Sequence, residues 1–191
     1  MRQRGSYAKG LAKRDEILDA ALQSFIEKGY DRTSVREIAR MVELSQAGLL
    51  HHFSNKEQLF LEVLRRRDEQ SISGAADRGV HSVQGLIDAI ARNVDQEGLV
   101  GLYVVMSAES AHTEGLAREF LEGRYEWVID DISQDVARMQ EEGEMTLTVG
   151  AHEIASLLVA AADGLQIQWL LNRRSVDMVE QMHTLVNAFR L

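Results

Sequence analysis

The chain has 191 residues, 45% of them apolar, with no proline, no cysteine and a net charge of −9. That apolar share excludes a disordered chain, the missing cysteine excludes disulfides and thiolate metal sites, and the missing proline removes the commonest helix breaker. The acidic total argues against nucleic acid, but residues 1–60 hold ten Lys and Arg against eight Asp and Glu, whereas residues 61–191 hold eleven against twenty-two. A basic part at one end suits a small DNA-contacting head on an acidic body.

In chain order, MRQRGSYAKG reads as a flexible basic arm (1–11), with no apolar run of the signal-peptide kind. From Ala12 to Lys28, Ile17, Leu18, Ala21, Leu22, Phe25 and Ile26 recur at helical spacing. Gly29 falls where a helix C-cap belongs. Ser34 and Glu37 form a capping-box pattern opening a short second helix with a buried stripe of Val35, Ile38, Ala39 and Val42. Ser45 can cap a third helix, and Ser54 with Glu57 makes a second box opening a fourth. Three cap signals so close together describe a compact helix-turn-helix head, placed at 12–58.

Residues 59–191 read as a separate helical body. The fourth helix continues through Leu59, Phe60, Val63 and Leu64, and the Ser73–Val80 stretch with its two glycines predicts a break. Helical patterns follow over roughly 82–95, 98–112, 115–142, 151–173 and 176–190, with 142–150 as a loop. The whole chain is expected to be all-α. Its longest apolar runs, 99–106 and 157–162, fall far short of the roughly 20 residues of a membrane span. A soluble, cytoplasmic protein with no membrane partner is the expectation.

A helix-turn-helix lays its second helix in the major groove. On the third helix, Leu49 and Phe53 (i, i+4) would face the core, leaving Gln46, Ala47, Leu50 and His51 on the opposite face. Gln can bond adenine N6 and N7, and Ala can touch a thymine methyl. Gly48 would allow close backbone approach. Thr33, Ser34, Ser45 and Lys56 lie at helix N-termini, where N–H groups and the dipole favour phosphate, and Arg36 stands near this surface. The alternative for Gln46 and His51 is a merely solvated face.

The segment from Arg14 to Leu64, carried by ILDAALQSFIEKGYDRTSVREIA and LSQAGLLHHFSNKEQLF, resembles the N-terminal domain of the TetR (tetracycline-repressor-like) family of transcription regulators. The resemblance implies that Gln46, Ala47, Leu50 and His51 line a recognition helix and that Thr33 and Lys56 hold phosphates. Two positions depart from the family pattern. Leu50 stands where a phosphate-contacting tyrosine is common, and Glu43 stands where a turn glycine is usual.

For the body the resemblance implies a homodimer formed through the last two long helices, and a pocket for a small-molecule effector. DGLQIQWLL (163–171) is similar to a recurrent segment of the family's dimerising helix. Leu158, Ala161, Leu165 and Trp169 on one helix and Val179, Met182 and Val186 on the next are the candidate interface, with intramolecular core as the alternative. Tyr103, Met106, Ser107, His112, Phe120, Trp127 and Met139 are the candidate pocket, with ordinary core as the alternative. The expected function is a homodimeric repressor that binds a palindromic double-stranded DNA operator and is released by its effector. No catalytic motif, cofactor motif or metal-ligand spacing is visible: His152-Glu153 lacks the second histidine of a zinc helix. A partner-binding module without DNA contact, and a small enzyme built on His112 and Glu114, are the rival readings.

Overall fold

The computed structural model describes residues 2–30, 32–77 and 82–191. The elements, in order, are α1 (Arg2–Lys28), α2 (Val35–Met41), α3 (Gln46–His52), α4 (Lys56–Asp77), α5 (Ser82–Asn93), α6 (Glu97–Ser110), α7 (Leu116–Glu141), α8 (Ala151–Leu171) and α9 (Met178–Ala188). No strand occurs among the described residues; one isolated antiparallel bridge joins Met145 to Arg190. The chain divides into two compact units, residues 1–68 and 69–191.

Three boundaries differ from the sequence reading. Residues 2–11 belong to α1 and do not form a separate arm, because adding turns to an existing helix avoids the cost of nucleation. The head extends to Asp68, ten residues beyond the expected boundary, because Leu59, Phe60, Val63 and Leu64 are buried and the Phe60 ring meets Phe25 edge-on at 5.4 Å. Finally, α4 runs through Ser73 to Asp77, where a break was expected; the rest of that expected break reaches residues 78–80, outside the described residues.

In the head, Ile17, Leu18, Ala21 and Phe25 of α1 are buried, as are Ile38, Ala39, Leu49 and Phe53. Full burial of such side chains is worth roughly 1.5–3 kcal/mol each. Ser34 Oγ accepts from Glu37 N at 3.1 Å. The expected reciprocal arm of that box is absent, because the Glu37 carboxylate pairs with Lys28 instead. The cap opening α4 lies one residue later than expected: Asn55 Oδ1 accepts from Gln58 N at 2.7 Å, and Gln58 Oε1 reaches past the cap to accept from Ser54 N at 2.6 Å.

In the body, Ile87, Ile90, Ile132, Val136, Ile154, Leu158, Leu165, Trp169, Met182 and Val186 form one apolar core shared by α5, α7, α8 and α9. This corrects the expected dimer interface. Leu158, Leu165, Trp169, Met182 and Val186 are buried within the single chain, and Ala161 and Val179 are partly buried against the same core. The chain buries the larger side of each helical stripe internally, where most apolar area is removed from water. Helix α8 is long and apolar enough to cross a membrane by length and composition alone, yet 44% of its most apolar 18-residue stretch is buried inside the body.

Two helices end in the same hydrogen-bonded motif with different residues at its strained position. After α7, Gly143 has φ +75°, with Glu144 N donating to Met139 O at 2.8 Å and Gly143 N to Gln140 O at 3.2 Å. After α2, Glu43 has φ +55°, with Leu44 N donating to Ala39 O at 2.8 Å and Glu43 N to Arg40 O at 3.2 Å. This is the Schellman cap, whose left-handed residue is normally glycine. The glutamate therefore carries the strain that its place in the sequence implied. Replacing Glu43 by Gly should stabilise the head by about 0.5–1 kcal/mol after the extra unfolded-state freedom of glycine is subtracted. A denaturation midpoint that fails to rise would contradict this account of the turn.

Candidate nucleic-acid interface

A seven-residue helix cannot hold itself in water, so α3 needs external anchors. Its N-terminus is capped by Ser45, whose Oγ accepts from Gly48 N at 3.0 Å. On one side Leu49 is buried, and Phe53 just beyond the C-terminus is buried as well. Arg14 of α1 secures the far end. One of its Nη atoms donates to the His52 carbonyl at 3.1 Å, the other pairs with Glu62 at 2.7 Å, and the guanidinium lies 4.3 Å from the Phe53 ring centre. Lys13 Nζ donates to the Val42 carbonyl at 2.7 Å, holding the end of α2.

What α3 then turns to solvent is the set expected from its periodicity. Gln46, Ala47 and His51 are exposed and Leu50 is half-buried. Ser34 and Ser45 are exposed at the starts of α2 and α3, and Arg36 and Arg40 are exposed one turn apart on α2. Among the described residues, neither arginine has a carboxylate partner. Arg36 and Arg40 thus stand beside a hydrogen-bonding face on α3, the combination that DNA backbone and base edges require.

Three candidate contacts are placed differently. Thr33 is buried, and its hydroxyl donates to the Gly29 carbonyl at 2.8 Å while facing Ser24 Oγ at 3.2 Å; it locks the α1–α2 turn and leaves no hydroxyl for phosphate. A Cβ on Gly48 would meet Ser45 Oγ at 3.3 Å, so the missing side chain makes room for the cap as well as for any approaching backbone. Lys56 is half-buried, with its amine 4.0 Å from the centre of the Tyr30 ring, which fixes the position of its charge at the start of α4. The anchors Lys13 and Arg14 escaped the sequence reading because their partners lie 29 to 48 residues away.

The candidate pocket residues do not form one site. Tyr103 and Met106 are buried on α6, Ser107 lies beside Tyr103, and Phe120 is half-buried on α7. His112 is exposed beyond the end of α6, and Trp127 is 42% exposed. Met139 lies near the opposite end of α7 and packs into the α5–α7–α8–α9 core. A helix advances only 1.5 Å per residue with a fixed angular step, so residues chosen for chemistry alone scatter in both height and direction.

Around Tyr103 the structure instead assembles a polar cluster not anticipated from sequence. Tyr103 donates to Tyr125 Oη at 3.1 Å, Tyr125 donates to Asp163 Oδ2 at 2.5 Å, and Arg124 donates to Tyr103 Oη at 3.2 Å. Burial pushes both phenols and the Asp163 carboxyl above their ordinary values, while Arg124 and the Tyr125 hydroxyl draw Asp163 back down. Tyr125 and Asp163 are 38 residues apart, and only the pairing of α7 with α8 brings them together. No group of three His, Cys, Asp or Glu side chains capable of holding a metal ion occurs among the described residues.

Comparison with known proteins agrees with this geometry. Residues 17–63 match the family model for bacterial regulatory proteins of the tetR family, and residues 79–189 match the model for the C-terminal part of BetI-type transcriptional repressors. An HTH-type transcriptional repressor of Mycobacterium tuberculosis is 35% identical over 72 residues; the chain spans 38% of that protein's length, and the match covers 38% of this chain. The HTH-type transcriptional regulator UidR of Escherichia coli is 24% identical over 149 residues, 76% of each chain. A transcriptional regulator from Saccharomonospora viridis, solved in complex with choline, superposes with a TM-score of 0.72 at 22% identity, covering 91% of this chain and 93% of that one. The second family model alone spans more than half of the sequence, so the chain belongs to the TetR family of DNA-binding transcription regulators, with a body of the BetI type.

Proposed function

We propose that this protein is a homodimeric, cytoplasmic repressor that reads a palindromic operator and releases it on binding a small-molecule effector. The single observation that carries the DNA-reading part is the outward face of α3, with Gln46, Ala47 and His51 exposed beside Arg36 and Arg40. Each copy would place α3 in one major groove, with half-sites about 34 Å apart or at a multiple of that distance. The half-buried Leu50 supplies apolar contact, not the hydroxyl expected of a tyrosine, so phosphate binding would rest on Arg36, Ser34, Ser45 and Lys56.

Dimerisation is supported by what α8 leaves uncovered. Leu157, Ile167 and Leu171 are 51%, 44% and 83% exposed, and with Ala160 and Gly164 they recur at alternating steps of three and four residues. That is the spacing of a helix-pairing seam, and its small residues permit close approach. The inward stripe of the same helix belongs to the body core, so the outer seam is the part left for a second copy.

The effector reading rests on the part-buried Tyr103–Tyr125–Asp163 cluster in α6, α7 and α8 and on the choline-bound regulator of the same fold. The ligand would act through α4, within which the boundary between the two units falls. Coupling of this sort typically amounts to about 1–3 kcal/mol. Nothing in this mechanism requires a catalytic group or a cofactor.

Two substitutions separate the roles assigned to the interface. Arg36→Ala should weaken binding to all DNA sequences alike and flatten the slope of log K against log salt by about one. Gln46→Ala should cost about 1–3 kcal/mol at one base position and relax the preference there. Equal losses with unchanged preference would overturn the assignment. For the dimer, Ile167→Glu should convert the protein to a folded monomer in light scattering and sharply reduce operator affinity; an unchanged dimer would remove α8 from the interface.

A further inference from the structure

A cavity of about 420 Å³ opens between α5, α7 and α9, and it shares no lining residue with the Tyr103–Tyr125–Asp163 cluster. Its floor is apolar, made by the buried side chains of Val83, Ile87, Met139 and Val186. One wall is the ion pair of Asp135 with Arg138 at 2.8 Å. That wall is internally neutralised: Asp135 also accepts from Val83 N at the start of α5, and Arg138 also pairs with Glu142.

Two lining charges remain without an opposite partner among the described residues, Glu144 and Arg190. They are presented by one backbone clasp. Met145 bridges to Arg190, Thr146 N donates to Phe189 O at 2.8 Å, and Leu191 N donates to Glu144 O at 3.1 Å. The clasp fixes the backbone spacing of the two residues while their side chains stay unpaired with each other. His183 and Asn187, on the same face of α9, add hydrogen-bonding groups on the Arg190 side. The C-terminus of α7 adds negative potential on the Glu144 side.

A simple anion in this cavity would meet the field of Glu144, and a simple cation would meet that of Arg190. A molecule carrying both charges satisfies both residues, and its apolar part can cover the floor. The volume falls within the usual range for small-molecule sites. We propose that the cavity binds a zwitterion of the α-amino-acid class with an apolar side chain. The ammonium pairs with Glu144, the carboxylate with Arg190 supported by His183 and Asn187, and the side chain lies on Val83, Ile87, Met139 and Val186. This gives the body a ligand site separate from the α6–α7–α8 cluster, and the proposal does not depend on operator binding.

The test uses the full chain and calorimetric titration with leucine and phenylalanine, alongside N-acetylleucine and leucinamide, which each lack one of the two charges. Either free amino acid should bind with a Kd at or below about 1 mM. Both single-charge analogues should bind more weakly, and Arg190→Ala and Glu144→Gln should each weaken the amino acid about tenfold or more. Glu144→Gln should also narrow the gap between leucine and N-acetylleucine. Both substituted side chains are exposed, and melting curves matching the parent verify that the variants fold. As an independent readout in the unsubstituted protein, the His183 ring resonances should move on addition of the amino acid. Absence of binding by both amino acids, equal binding of the single-charge analogues, affinity that survives both substitutions, or unmoved His183 resonances would overturn the proposal.

Discussion

The anchoring of α3 is the constraint on which the reading surface depends. Seven residues form too few intrahelical bonds to offset the entropy of fixing them, so the orientation of Gln46, Ala47 and His51 is imposed from outside. Leu49 and Phe53 supply the apolar hold, Ser45 satisfies one free N–H, and Arg14 ties the His52 carbonyl to α1 and to Glu62 of α4. These anchors leave the opposite face free of internal obligations. A surface that must match base edges gains from such preorganisation, because the helix backbone that carries the side chains is already ordered before it enters the groove. Glu43 works against it: the turn that aims α3 carries a residue in a backbone region that glycine occupies without strain.

The body resolves a related conflict on α8. One face contributes Leu158, Leu165 and Trp169 to the core, while the other leaves Leu157, Ile167 and Leu171 in solvent. A monomer gains nothing from such a seam, which removes no apolar area from water until something covers it. A second copy, meeting it with the same residues, is the simplest cover that closes by symmetry. One buried polar pair in the body is satisfied internally: Asn93 donates to Gln166 Oε1 at 3.0 Å, and Gln166 donates to the Ala162 carbonyl at 3.2 Å.

The parts of the molecule governed by local rules were legible in the sequence. Helical period, the Ser34 and Ser45 caps, the Gly29 turn and the inward pair Leu49 and Phe53 all follow from interactions within a few residues, and the five body helices lie close to their expected spans. Glu43 was marked by the family resemblance alone, as standing where a turn glycine is usual, and its φ of +55° gives that departure its physical content. Features set by distant partners were not legible. Thr33 has the composition of a phosphate ligand, yet Ser24 and Gly29 claim its hydroxyl. The stripes on α8 and α9 show that one face is buried without showing what buries it, so core residues passed for interface. Arg14–Glu62 and Tyr125–Asp163 have no sequence signature, because tertiary packing alone creates them.

Sequence-specific reading by a pair of heads related by a two-fold axis is the central claim. It is tested most directly by selecting duplexes from a random pool with purified protein at near-physiological salt. The account predicts enrichment of an inverted repeat whose half-site centres lie about one helical turn, or a whole multiple of it, apart. Well-folded, ligand-free protein that enriches no sequence, or only a single half-site without dyad symmetry, would contradict it.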